Sequence, residues 1–302
     1  MPNIDLNQAW NRFVGRELMT ADSSLGSRLL APRRRLQLAR VSLMRRLGGL
    51  RFDPSDFELV RISVSIPKLH SVFNEFRIVH ISDIHLGQWM SPDRLGGVVG
   101  LVNEQRPDVV AITGDFVSFA VDQVIADLRS ALLKLQPKYA TLAVLGNHDH
   151  WMGAGKVRRV LRDCNIIDLS NDVYLLRREE ATLCFAGVDD VMVHEEELDQ
   201  VLMKLPSADP AVLLVHEPDF ADIAGATGRF ALQLSGHSHG GQFVLPKIGV
   251  PFRGAYFKKY PIGEYLVNGM VLYTNRGLGA NTVWLRVNCP PEITVLTLQA
   301  GP

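Results

Sequence analysis

From residue 57 onward the chain alternates short apolar runs with polar turns. FELVRISVSI opens the pattern. FRIVHIS (76–82), DVVAIT (108–113), TLAVLG (141–146), TLCFAGV (182–188), AVLLVH (211–216), ALQLSG (231–236), MVLYTN (270–275) and EITVLTL (292–298) follow. Each run is short and almost continuously apolar, which predicts strands covered on both faces. Helical spacing fills the gaps near 92–105, 121–135, 155–163 and 195–205. Strands alternating with helices predict βαβ units, parallel strands and ligand sites at the strands' carboxyl ends.

The first fifty residues do not share the pattern. Two Arg-rich segments, 5–20 and 33–47, read as helices, with Pro32 at the first turn of the second. Leu36, Ala39, Leu43 and Leu47 form an apolar stripe flanked by Arg33, Arg40 and Arg46, although Leu38 and Val41 fall off it. Composition becomes ordinary around Asp53-Pro54. The chain therefore divides into an arm, 1–52, and a domain, 53–302.

Charge sharpens that division. Residues 1–51 hold ten Arg against the three acids Asp5, Glu17 and Asp22, a net of +7, and the whole chain is neutral, so the remainder carries −7. The asymmetry predicts an arm that meets an anionic membrane surface. Nucleic acid is not expected, because aromatic residues for base stacking are not interleaved with the arginines. No run of about 18 apolar residues exists, so no spanning helix is expected. Arg40 and Arg45-Arg46 interrupt what would be a signal core after Arg33-Arg34-Arg35. Cys164, Cys184 and Cys289 are odd in number and form no CxxC pair, which fits reduced thiols and excludes a thiolate metal site. The expected location is cytoplasmic, peripheral at the inner face of the membrane.

The strand ends carry the chemistry. FRIVHIS runs into Asp83-Ile84-His85, and DVVAIT into Gly114-Asp115. TLAVLG runs into Asn147-His148-Asp149-His150. AVLLV ends at His216, and ALQLS runs into Gly236-His237-Ser238-His239. Residues i and i+2 of an extended chain point the same way, so each DxH or HxH pair can address one cation. One such pair is ordinary polar decoration; five strand ends delivering donors to one rim are not. Oxygen and imidazole donors without thiolates suit Mn, Fe or Zn, with Mn favoured. Two such ions about 3.5–4 Å apart form a clamp used for in-line displacement at phosphorus.

The blocks SDIHLG, GDFV, GNHD, VHEPD and GHSHGGQ, in this order, resemble the calcineurin-like metallophosphoesterase superfamily over roughly residues 76–300. The resemblance implies an α/β fold, a four-layer α/β/β/α sandwich with two central mixed sheets. It implies two divalent metal ions: Asp83, His85 and His239 hold one, Asn147, His216 and His237 the other, and Asp115 bridges both. His148 is then the acid near the leaving group, with Asp149 orienting it, and a metal-bridging hydroxide attacks phosphorus in line. GHSHGGQFVLP and TNRGLGANTVWLRVNCPPEITVLTL are further similar to a bacterial membrane-associated branch. Some of its members hydrolyse UDP-2,3-diacylglucosamine in lipid A synthesis. That similarity implies a lipid-linked phosphodiester or pyrophosphate as substrate. Members of the branch often carry an N-terminal membrane helix; here the Arg-rich segment stands in its place.

Other readings stay open. The same chemistry fits a soluble substrate: a cyclic nucleotide, a nucleic acid or a phosphoprotein. A non-enzymatic membrane-surface protein with a structural metal site is the alternative of another class. Gly240, Gln242 and Arg276 are candidate substrate contacts, although Arg276 reads equally well as an ion-pair residue. His150 reads as a supporting or surface residue, His80 as a satisfied core residue, and His70 and His194 as surface residues. Asp189-Asp190 reads as a turn, and residues 252–265 as an acceptor-lining loop or a covering flap.

Overall fold

A computed structural model describes residues 51–118, 121–280 and 284–301. The two Arg-rich helices expected before residue 50 lie outside the described residues.

Every apolar run forms a strand. In chain order these are β1 (Glu58–Ile66), β2 (Phe76–Ile81), β3 (Val109–Thr113), β4 (Ala140–Val144), β5 (Ile167–Asp168), β6 (Asp172–Arg178), β7 (Ala181–Gly187), β8 (Ala211–Leu214), β9 (Leu232–Ser235), β10 (Gly263–Val267), β11 (Met270–Thr274) and β12 (Glu292–Ala300). The helices are α1 (Pro92–Glu104), α2 (Val121–Leu132), α3 (Asn147–Asp163), α4 (Leu198–Lys204) and α5 (Ala221–Ala226). Helix α3 starts well before the expected 155. Asp149 accepts from the Gly146 amide and so caps the turn, and Gly153, at φ 119°, breaks the helix before the periodic part begins.

Two six-stranded sheets result, ordered β1-β12-β2-β3-β4-β5 and β10-β11-β9-β8-β7-β6. The centres are parallel, as alternation with helices dictates: β2 to β5 in the first sheet, and β7, β8, β9 and β11 in the second. Antiparallel pairs make both sheets mixed: β12 with β2, β10 with β11, and β6 with β7.

Side-chain alternation assigns each face to a layer. Val79, Ile81, Val110 and Ile112 pack under α1, α2 and α3. Ile78, Val109, Ala111 and Leu142 turn the other way and meet Phe185, Val212, Leu214 and Leu232 across the gap between the sheets. The outer side of the second sheet, through Ala186, Leu213, Val215 and Leu272, is covered by α4 and α5. The order is helix, sheet, sheet, helix. Among the described residues no helix is long and apolar enough to cross a membrane.

Candidate metal centre

The carboxyl ends of β2, β3 and β4 meet those of β8 and β9 on one rim. Each strand must turn sharply there, and the backbone shows it. Asp83, His85, Asp115, His237 and His239 adopt φ of 50, 47, 56, 65 and 49°. Left-handed backbone is uncommon outside glycine and costs about 1–3 kcal/mol where the surroundings impose it. Here it is held by paired amides, with Asp83 N donating to Gly114 O at 3.0 Å and His85 N to Asp115 O at 2.9 Å. Glycine is required where other backbone passes close. A Cβ on Gly114 would stand 2.6 Å from His216 Nδ1 and 2.7 Å from the Gly146 amide nitrogen, and one on Gly236 would run into Ser82 Oγ and Asp83 Oδ2.

These turns bring ligand atoms together. Asp115 Oδ2 lies 3.3 Å from His85 Nε2 and 3.4 Å from His216 Nε2. Asp83 Oδ1 lies 3.3 Å from His239 Nε2, and the Nε2 atoms of His85 and His239 are 3.0 Å apart. Three overlapping groups each hold their ligand atoms within 4.8 Å: Asp83, His85 and His239; His85, Asp115 and His148; Asp83, Asp115 and His216. All these residues are buried.

The remaining bonds aim the ligand atoms. His216 Nδ1 meets Thr113 O at 2.7 Å, and His85 Nδ1 meets Ser118 Oγ at 3.0 Å, leaving both Nε2 atoms toward the centre. A ring that donates one N–H to a carbonyl offers the other nitrogen to a cation. Asp115 Oδ1 accepts from His148 N at 2.9 Å, and the His237 amide donates to Asp83. His216 Nε2 and Asn147 Oδ1 are buried without a hydrogen-bond partner, which is the state of atoms placed for a metal.

Charge agrees with that reading. Burial disfavours a charged His216, yet Asp115 and Asp83 outweigh it and hold the ring well above the ordinary imidazole range. Asp115 is held well below the carboxylate range by His216 and His148, against its own burial. The centre draws positive charge. Carboxylate and imidazole donors that converge on two adjoining points, with buried orphan atoms beside them, fit divalent cations.

The other expected residues are placed as follows. His237 stands outside the tight groups, with its ring 4.9 Å from that of His216; its Nε2 meets Ala255 O at 3.1 Å, so Nδ1 is the nitrogen left for a ligand role. Asn147 opens α3. His148 packs 4.7 Å from the His85 ring and 5.0 Å from Trp151, with Nδ1 facing Ser118 O at 3.3 Å. Burial pushes His148 down to about 4, against the pull of Asp115. The Asp149 carboxylate is held by backbone amides: it accepts from those of Phe116, Val117 and Gly146, and thereby fixes the loop that carries Asp115 and Ser118.

Arg276 forms ion pairs, with Nε donating to buried Glu292 and Nη1 to Glu58. Gly240 is packed against Cys289 and Arg276, and the Gln242 amide donates to Leu285 O at 3.2 Å, so both join the rim to residues 285–289. His150 and Arg158 both bind Asp189, which is buried and more than a turn residue. Asp190 is buried beside Glu217 and pushed up to about 10 by burial and by that neighbour. His80 is a core residue, 2.8 Å from Thr113 Oγ1. Within 252–265, Ala255 and Phe257 lie against His237, which makes that loop a wall of the centre.

Sequence reasoning missed three supports. Ser118 meets His85 through its hydroxyl and His148 through its carbonyl, and Thr113 meets His216 through its carbonyl; backbone carbonyls leave no trace in residue type. Arg286 lies in the quoted stretch WLRVNC, but its partners are the carbonyls of Arg276, Gly277 and Gly279 and the Nδ1 of His239. It clamps the loop that passes Asp83 and His85, where a Cβ on Gly277 would stand 2.7 Å from Asp83 Cβ.

Residues 76–241, just over half of the chain, match the model of the calcineurin-like phosphoesterase family. The metallophosphoesterase YkuE of Bacillus subtilis (strain 168), itself described as uncharacterized, is 32% identical over 254 residues, covering 82% of this chain and 87% of that protein. The phosphodiesterase YaeI of Escherichia coli (strain K12) is 29% identical over 256 residues, covering 82% and 90%. A transmembrane protein with metallophosphoesterase domain from Danio rerio is 30% identical over 258 residues, covering 80% of this chain and 57% of that protein.

Proposed function

The chain belongs to the calcineurin-like phosphoesterases, metal-dependent phosphoric ester hydrolases, and from that premise we propose that it cleaves a phosphodiester or pyrophosphate carried on a lipid. The observation that carries the hydrolytic reading is Asp115 Oδ2, set 3.3 and 3.4 Å from imidazole nitrogens delivered by the two different sheets. A shared carboxylate is what lets two cations lie close together. Two divalent cations, manganese being the one proposed, neutralise phosphoryl charge and acidify water when bound.

The chain's own residues supply the rest. Asp83 and Asp115 set the negative charge of the centre, and His85, His216 and His239 aim their Nε2 atoms at it. His237 and Asn147 complete the donor set on the side of His216. His148 stands next to Asp115 and serves the leaving oxygen. Its buried ring is neutral at about pH 7, so it donates only after taking up a proton, which the negative charge of a bound phosphoester favours.

Three observations support the diester and lipid part of the proposal. One relative is named a phosphodiesterase and another a transmembrane protein. Residues 1–51 carry a net charge of +7, ten Arg less three acids. Apolar side chains stand exposed on the rim of the centre. The test is turnover after chelation and after return of Mn, Fe or Zn, across a panel in detergent. The panel holds bis-nitrophenyl phosphate, a cyclic nucleotide, a phosphoprotein and UDP-2,3-diacylglucosamine. Preference for the lipid-linked ester supports the proposal; preference for a soluble one removes the lipid and leaves the hydrolase.

A further inference from the structure

We propose that the rim beside the metal centre, formed by residues 242–253 and 284–288, docks on an anionic lipid bilayer. This deepens the lipid-linked reading above. The two segments begin at the centre itself, since His239 is followed by Gln242 and its carbonyl and ring are contacted by Arg286. They are laced together by Val244 N to Val287 O, Val287 N to Gln242 O, and Asn288 Nδ2 to Val244 O. The Leu245 amide and the Gly249 carbonyl then close a tight loop whose five residues, 245–249, are all exposed.

That loop presents apolar side chains outward. Ile248 is 69% exposed, Leu245 37%, and Leu285, on the adjoining segment, 52%. A single exposed aliphatic residue needs no explanation, but three on paired segments at the mouth of a site form a patch. The surrounding charge names the partner. Residues 236–263 and 275–291 contain no Asp or Glu, in a chain whose residues beyond 51 carry −7 when the arm's +7 is taken from a total of zero. Lys247, at the loop tip, and Arg253 and Lys258 are exposed and, among the described residues, not ion-paired. Apolar tips framed by uncompensated cations suit shallow insertion among anionic headgroups. Docking there would set the mouth of the centre at the headgroup level, where a lipid-borne phosphoester lies.

The test places an environment-sensitive dye on full-length protein carrying Ile248→Cys or Leu285→Cys, with Met203→Cys on α4, 82% exposed, as the control. Cys164, Cys184 and Cys289 are buried, which directs the dye to the new thiol. On phosphatidylglycerol vesicles the dye at 248 and 285 should shift to the blue, and at 203 it should not. Salt should reverse the shift, and phosphatidylcholine vesicles should give none. Lys247→Gln removes one cation and should weaken binding about fivefold. Soluble diester turnover should stay native in every variant. Equal response at all three positions, or sedimentation with the dye at 248 unmoved, overturns the proposal. So does burial of 248 by a second copy or an acidic polypeptide without vesicles. A shift at 248 in a protein that cleaves only soluble esters keeps the docking surface and removes the lipid-linked substrate.

Discussion

His85 and His239 hold their Nε2 atoms 3.0 Å apart, although one follows a strand of the first sheet and the other a strand of the second. Asp83 Oδ1 and Asp115 Oδ2 each stand 3.3 Å from one of these nitrogens. Two imidazole nitrogens and two carboxylates converging at such distances suit a divalent cation between them. A cation held there would also join the two sheets.

Metal removal should therefore loosen the fold as well as stop turnover. A ligand at 100 times its dissociation constant stabilises the state that binds it by about 2.7 kcal/mol, roughly 5–10 °C for a domain of this size. Calorimetry with and without Mn should show that shift. An unchanged unfolding temperature would mean that the ions are not held across the sheets.

His148→Ala should keep both metals and lower kcat by about 10²–10⁴. The loss should shrink for nitrophenyl leaving groups, which need no proton. Equal losses for nitrophenyl and alkyl esters would leave His148 charge stabilisation alone.

Close packing makes a second, sterically defined prediction. Gly236→Ala drives a methyl into Ser82 and Asp83 and should cost metal affinity at least tenfold. Gly100→Ala, on the exposed side of α1 with nothing within 4 Å, should instead stabilise the protein by about 0.5–1 kcal/mol. Metal titration followed by melting of both variants checks the pair.

The strand-end blocks were readable because each donor pair is local: DIH and HSH name their chemistry and their strand together. Which atoms converge was not readable, since Asp115 meets His85 and His216 only through the crossing of two sheets. β6, DVYLLRR, escaped notice because it is a half-exposed edge with three charges, and β10, GEYLV, because it is a half-exposed edge with a charge inside a short run. Asp149 illustrates a subtler limit. Its place in GNHD marks it as a partner of His148, yet its carboxylate binds the amides of a loop thirty residues away. Backbone donors are the same for every residue type, so no residue in that loop announces the bond.

Arg276→Met should destabilise without emptying the centre. Glu292 is buried, 1% exposed, and Arg276 is its cationic partner. Removing one member of a buried pair costs about 3–5 kcal/mol. Metal content and soluble diester turnover at low temperature should persist. Loss of turnover with full stability would restore Arg276 as a substrate contact.

Burial lowers His80 from 6.5 to about 3. The unfolded chain therefore takes up this proton first. The stability that His80 contributes is complete above about pH 6.5 and is lost as pH falls toward 3, at about 1.4 kcal/mol per unit. His80→Gln should flatten the acid limb of stability against pH in that window. An unchanged slope would show that other groups govern acid unfolding.

The most direct test of the dinuclear account is an anomalous-scattering map of crystals grown with Mn. Two peaks about 3.5–4 Å apart, with Asp115 touching both, are predicted. Asp115→Ala should then lose the pair of ions and all turnover. One fully occupied peak, with every donor in place and the enzyme active, would contradict the account.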